Sequence, residues 1–94
     1  TPLFKACGRG NERIVKYLVK HGANINKEDG HREIPLFNAC ENGNETIVKY
    51  LVEKGANINK ENRLRETPLF YACKSGHERI VKYLVEQGAD VNKK

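Results

Sequence analysis

Apolar residues in this chain come in short clusters separated by polar stretches and glycines. Leu3, Phe4, Ala6 and Cys7 stand at i, i+1, i+3 and i+4, one face of a helix about two turns long. Thr1-Pro2 ahead of them is a start signal: a hydroxyl can cap free backbone amides, and a proline without an N–H loses nothing in a first turn. The run ends at Gly8-Arg9-Gly10. Ile14, Val15, Leu18 and Val19 form a second helical stripe, with Arg13, Lys16 and Lys20 largely opposite. Asn11 is placed to cap that helix, Glu12 puts negative charge where the helix dipole favours it, and Gly22 stands where a left-handed residue commonly closes a helix. Ala-Asn-Ile-Asn and the polar stretch "KEDGHRE" follow, with Asp29-Gly30 the strongest turn signal.

The pattern then repeats. Its starts fall at Thr1, Ile34 and Thr67, a constant step of 33 residues without insertion. Asn44, Glu45 and Glu78 return at the second helix starts, and Gly55 and Gly88 at its ends. Helices this short are marginal alone, since isolated helices below about 12–15 residues are unstable in water. Stacking the units gives each apolar stripe something to cover. The expected architecture is an all-α solenoid of helix-turn-helix units joined by turn-bearing loops, one domain over 1–94 with repeats 1–33, 34–66 and 67–94.

A 33-residue unit with Thr-Pro-Leu opening the first helix, "IVKYLV" in the second and "GANIN" or "GADVN" after it resembles the ankyrin repeat, and the resemblance covers the whole chain. It implies β-hairpin-like loops and a concave groove that binds other proteins. Three departures stand out. The family's His after Thr-Pro-Leu is Phe4, Phe37 and Phe70, so these units are expected to rely on apolar packing. Ile34 replaces the Thr before Pro, removing a cap hydroxyl worth about 1 kcal/mol. Arg32 and Arg65 replace a glycine that tolerates positive φ, so the hairpins are expected to be strained or reshaped. No polar capping unit is evident, which bares Leu3, Phe4, Ile14 and Leu18 at one end and Leu69, Ile80, Val81 and Leu84 at the other. Membership of a longer array, or end-to-end self-association, is expected from this.

Composition changes this picture little. Charged residues are 31% and hydrophobic ones 38%, and no apolar run approaches the roughly 20 residues of a membrane span. A signal peptide and methionine are both missing, as in a fragment, an excised segment or an engineered chain. The net charge of +5 leans toward acidic partners, but both signs are interspersed along all units. Cys7, Cys40 and Cys73 share one phase of the repeat, so stacking separates them by about 8–10 Å, beyond disulfide reach. They are expected to be buried thiols in a reducing, intracellular compartment, cytoplasmic or nuclear.

Positions that differ between units suggest where recognition resides. The resemblance places such positions on hairpin tips and the exposed side of the first helices, and the groove it implies reads Lys5, Arg9, His31, Glu33, Asn38, Glu41, Asn42, Arg63, Leu64, Glu66, Tyr71 and Lys74. Tyr71 with Leu64 and Arg63 is the hot-spot candidate, because aromatic and Arg side chains carry much interface energy. Exposure without constraint accounts for the same variation.

Chemistry beyond recognition has little support. His21, His31 and His77 occupy three different phases, no CxxC pair exists, and no phosphate loop follows a strand, so no catalytic, metal or cofactor site is expected. Lys16, Lys49 and Lys82 beside Tyr17, Tyr50 and Tyr83 allow an alternative, a weak nucleic-acid binder, although Glu53 and Glu86 accompany them. A structural or engineered scaffold without its own partner is a further alternative, given about 23 identities in 33 positions between the first two units. The resemblance also implies asparagine hydroxylation at Asn26, Asn59 or Asn92, of which only Asn92 has an acidic residue, Asp90, two positions earlier.

Overall fold

The computed structural model describes residues 1–93. It holds six helices: α1 (Pro2–Arg9), α2 (Glu12–Lys20), α3 (Pro35–Asn42), α4 (Glu45–Glu53), α5 (Pro68–Lys74) and α6 (Glu78–Glu86). Each odd-numbered helix packs on the even one that follows it. Across units α1 packs on α3 and α3 on α5, while α2 packs on α4 and α4 on α6, so two layers of helices run through the stack.

Local chemistry explains the boundaries. Thr1 and Thr67 accept the Phe4 and Phe70 amides on their hydroxyls at 3.3 Å, but Ile34 makes no side-chain cap. Ile34 is instead fully buried, so apolar burial replaces the lost hydrogen bond. Asn11 and Asn44 accept the Ile14 and Ile47 amides at 3.1 and 3.0 Å. His77, the third residue at that phase, makes no such cap and points back to the preceding unit.

Every "GANIN" is answered one unit along. Asn26 Nδ2 donates to the Gly55 carbonyl at 3.1 Å while its Oδ1 accepts the Asn57 amide at 2.8 Å. Asn59 repeats this with Gly88 and Asp90 at 3.2 and 2.9 Å. The asparagine therefore satisfies helix-end backbone groups that would otherwise lack partners. Alongside, Lys60 pairs with Glu28 and Lys93 with Glu61. The lysine beside each holds the Glu28 and Glu61 carboxyls below their usual range.

The loops close like hairpins, although no strand forms among the described residues. The Asp29 amide donates to the Glu33 carbonyl and Asn62 to Glu66, both at 2.9 Å. The Arg63 amide donates to the His31 carbonyl at 3.0 Å, joining successive tips. Arg32 and Arg65 sit at φ 63° and 62°, left-handed conformations in which a β-carbon is strained.

Burial is most complete in the middle unit, where Ile34, Leu36, Phe37, Ala39, Cys40, Ile47, Val48 and Leu51 are all enclosed. Two expectations need correction. Of the residues expected to be bared at the ends, Leu3, Leu69, Ile80 and Leu84 are buried, because they pack into the apolar core shared by all three units. Ile14 is exposed at 48%, as expected. Cys73 is exposed whereas Cys7 and Cys40 are buried, since no further unit covers that phase of α5 among the described residues. Burial pushes the Cys7 thiol up to about 12 and raises Cys40 further.

Candidate functional site

The loop tips and α5 converge on one polar cluster centred on Asn62. Its place in the second loop is set by its own side chain, whose Oδ1 accepts the Leu64 and Glu66 amides, both at 2.9 Å. Nδ2 donates to Glu33 Oε2 at 2.8 Å and Glu66 Oε1 at 2.9 Å, and reaches the Tyr71 hydroxyl at 3.4 Å. Tyr71 donates its hydroxyl to Glu33 Oε2 at 2.5 Å. The Tyr71 ring stands edge-on to Phe37, centroids 5.3 Å apart, and to Phe70 at 6.3 Å. Desolvation raises the Tyr71 hydroxyl pKa, and the Glu33 hydrogen bond and the charges of Glu33, Glu66 and Glu41 raise it further.

Around this cluster lies a cavity of about 230 Å³, lined by His31, Glu33, Asn62, Arg63, Leu64 and Tyr71. Leu64 forms an apolar rim, 73% exposed. Arg63 is held by its Nε donating to the Gly30 carbonyl at 2.8 Å. The sequence-derived candidates thus separate into three groups. His31, Glu33, Arg63, Leu64 and Tyr71 line the cavity, with Glu66 attached through Asn62. Asn38 and Asn42 are engaged in the stack, donating to the Phe4 carbonyl at 3.3 Å and the Gly8 carbonyl at 2.8 Å. Lys5, Arg9, Glu41 and Lys74 are exposed outside that cavity. Asn62 itself was missed. The available signal was its phase, since it follows Asp29 by one repeat and inherits the same turn.

Part of the lysine and tyrosine ladder on the second helices pairs within itself, while Tyr17 is 63% exposed. Lys16 Nζ lies 5.7 Å from the Tyr50 ring centre, Lys54 lies 5.6 Å from it, and Lys49 lies 5.6 Å from that of Tyr83. Ring faces at Tyr50 and Tyr83 are therefore covered by lysines, two of them from the preceding unit. Asn26 and Asn59, two of the residues considered for hydroxylation, have both amide atoms engaged in the clamps described above. Among the described residues no three His, Cys, Asp or Glu side chains gather as a metal site requires. No helix is long and apolar enough to cross a membrane.

A stack of helix pairs joined by hairpin-like loops defines an all-helical repeat solenoid. The sequence matches the family described as "Ankyrin repeats (3 copies)" over residues 3–94. The chain belongs to the ankyrin repeat family. Among solved structures, the human ASB11 ankyrin repeat domain superposes with a TM-score of 0.92 at 37% identity. That match covers 96% of this chain and 41% of the other, so the present chain spans about two fifths of that domain. No curated protein matches the sequence significantly. Ankyrin repeats are in general protein-interaction modules, and the fold is typically non-enzymatic.

Proposed function

We propose that this chain binds a partner protein through the groove between its loop tips and first helices, with Tyr71, Leu64 and Arg63 as the principal contacts. The observation that carries this reading is the cavity beneath Leu64. An exposed aliphatic side chain, a fixed guanidinium and a tyrosine ring are gathered there on hydrogen-bonded supports. Side chains already locked in place lose little freedom on binding, which favours affinity. Recognition of this kind needs no cofactor and no turnover.

The test is capture from the source lysate at low and moderate salt, comparing the native chain with an Arg63→Ala/Leu64→Ala/Tyr71→Ala variant. A defined protein retained at both salts and lost with the variant is the expected result. Retention by the variant, or loss only on substituting Lys49, would move the interface to the outer helices. Nucleic acid released by salt would replace this reading with phosphate-driven binding.

A further inference from the structure

A second concavity, larger than the one beneath Leu64, lies beside it. A pocket of about 500 Å³ opens between the first and second loops, lined by Arg32, Arg63, Arg65, Lys60, Glu61 and Asn59 among others. Its lining is overwhelmingly polar and holds no aromatic ring. Cations exceed the carboxylates that could neutralise them. Lys60 is taken by Glu28 at 2.7 Å, and Arg32 shares that same carboxylate at 3.5 Å. Glu61, the carboxylate on the pocket wall, is paired outward with Lys93. Arg63 and Arg65 make no ion pair among the described residues.

Two of these arginines occupy backbone positions that disfavour them. Arg32 and Arg65 are the only non-glycine residues with positive φ among the described residues, and both occur at the same phase of the repeat. Left-handed strain that persists needs a compensating cause, and strained residues gather at ligand sites. Here the strain places two guanidiniums on one pocket. Arg63 completes the set, held by Gly30 through Nε so that its two terminal nitrogens remain as donors. Guanidinium forks at fixed positions match paired oxyanions, which accept two parallel hydrogen bonds from each.

We propose that this pocket binds clustered oxyanions on a peptide, an acidic segment of the partner protein, with Arg32, Arg63 and Arg65 as its donors. The proposal rests on the protein-interaction reading above and adds the chemistry of the partner. A peptide fits better than a nucleic acid strand because nothing in the lining can stack a base. Of the tyrosines, Tyr50 and Tyr83 are covered by lysines, Tyr71 stands edge-on to Phe37 in the neighbouring cavity, and the exposed Tyr17 lies on α2 outside the pocket.

The deciding experiment is fluorescence anisotropy of three fluorescein-labelled probes of matched charge: a hexaglutamate peptide, a phosphoserine peptide and a single-stranded oligonucleotide. Each is titrated with the native chain, with Arg32→Gly/Arg65→Gly and with Leu64→Ala/Tyr71→Ala. Glycine takes up left-handed φ without strain, so the arginine variant keeps its fold, and its melting temperature is recorded alongside to show this. Expected is saturable peptide binding that weakens at least tenfold in the arginine variant and by a smaller factor in the Leu64/Tyr71 variant. Stronger binding of the phosphoserine peptide, lost in the same variant, supports the proposal and identifies phosphate as the oxyanion. Equal affinity in the native chain and the arginine variant overturns it, as does preferential capture of the oligonucleotide through these arginines. A partner protein lost with Leu64→Ala/Tyr71→Ala but retained by Arg32→Gly/Arg65→Gly would leave the interaction reading standing and sink this one.

Discussion

The imidazole of His77 occupies the space that a β-carbon on Gly43 would need. An ideal β-carbon there would lie 2.5 Å from His77 Cε1, and Gly43 has φ 77°. His77 Nε2 is 3.1 Å from the Glu41 carbonyl oxygen, which can only accept, so this nitrogen carries the proton. One unit earlier Asn44, at the phase of His77, donates its Nδ2 to the Gly10 carbonyl at 3.4 Å, Gly10 being the counterpart of Gly43. Gly43→Ala should cost about 2–3 kcal/mol, combining left-handed strain with displacement of the ring. Gly76→Ala is the control, since Gly76 shares φ 77° but faces open space; it should cost only about 1 kcal/mol. Urea titration of the two variants checks the difference.

Arg65→Gly should raise stability although it removes a side chain. Left-handed strain costs about 1–2 kcal/mol, whereas glycine adds about 0.5–1 kcal/mol of unfolded-state entropy. A net gain of about 0.5–1 kcal/mol is expected, visible as a higher urea midpoint. A lower midpoint would mean that the Arg65 side chain contributes contacts outweighing the strain.

Tyr71→Phe should cost about 1 kcal/mol at neutral pH by removing the bond to Glu33. Its pH dependence follows from the raised hydroxyl pKa. Folding favours the protonated phenol, so the contribution is complete below the unfolded value near 10 and is lost as pH rises through the folded value. Tyr83 and Lys93 are also raised and act in the same alkaline range. The discriminating quantity is therefore the gap between native and Tyr71→Phe melting temperatures, which should narrow above about pH 10.

Thiol accessibility should divide one against two. Cys73 is exposed, while Cys7 and Cys40 are buried. Titration with a chromogenic disulfide reagent should release one equivalent rapidly in native buffer and two more only on denaturation. Rapid release of all three would show that the stack opens readily between units.

Helix ends, the repeat length and the left-handed arginines were legible because each depends on residues close in sequence. Thr67 caps Phe70 three residues on, and Asn44 caps Ile47. The site was less legible because its bonds cross between units. Tyr71 meets Glu33 across 38 residues, and no local pattern announces that pairing. Asn38 and Asn42 were read as recognition residues because they vary, and their amides also donate to the preceding unit's carbonyls, partners that no local pattern announces. Cys73 shows the converse, since the same Ala-Cys pair at the same phase meets a different environment when the neighbouring unit differs.

The asparagine clamps carry a consequence for inheritance. Asn26 and Asn59 use acceptors and donors that every copy supplies at the same phase, namely a glycine carbonyl and a main-chain amide. A joint whose two halves are encoded in every copy survives gene duplication and unequal exchange, provided that whole copies are gained or lost. Selection can then vary the surface residues of each copy separately, since the junction demands no coordinated change in its neighbours.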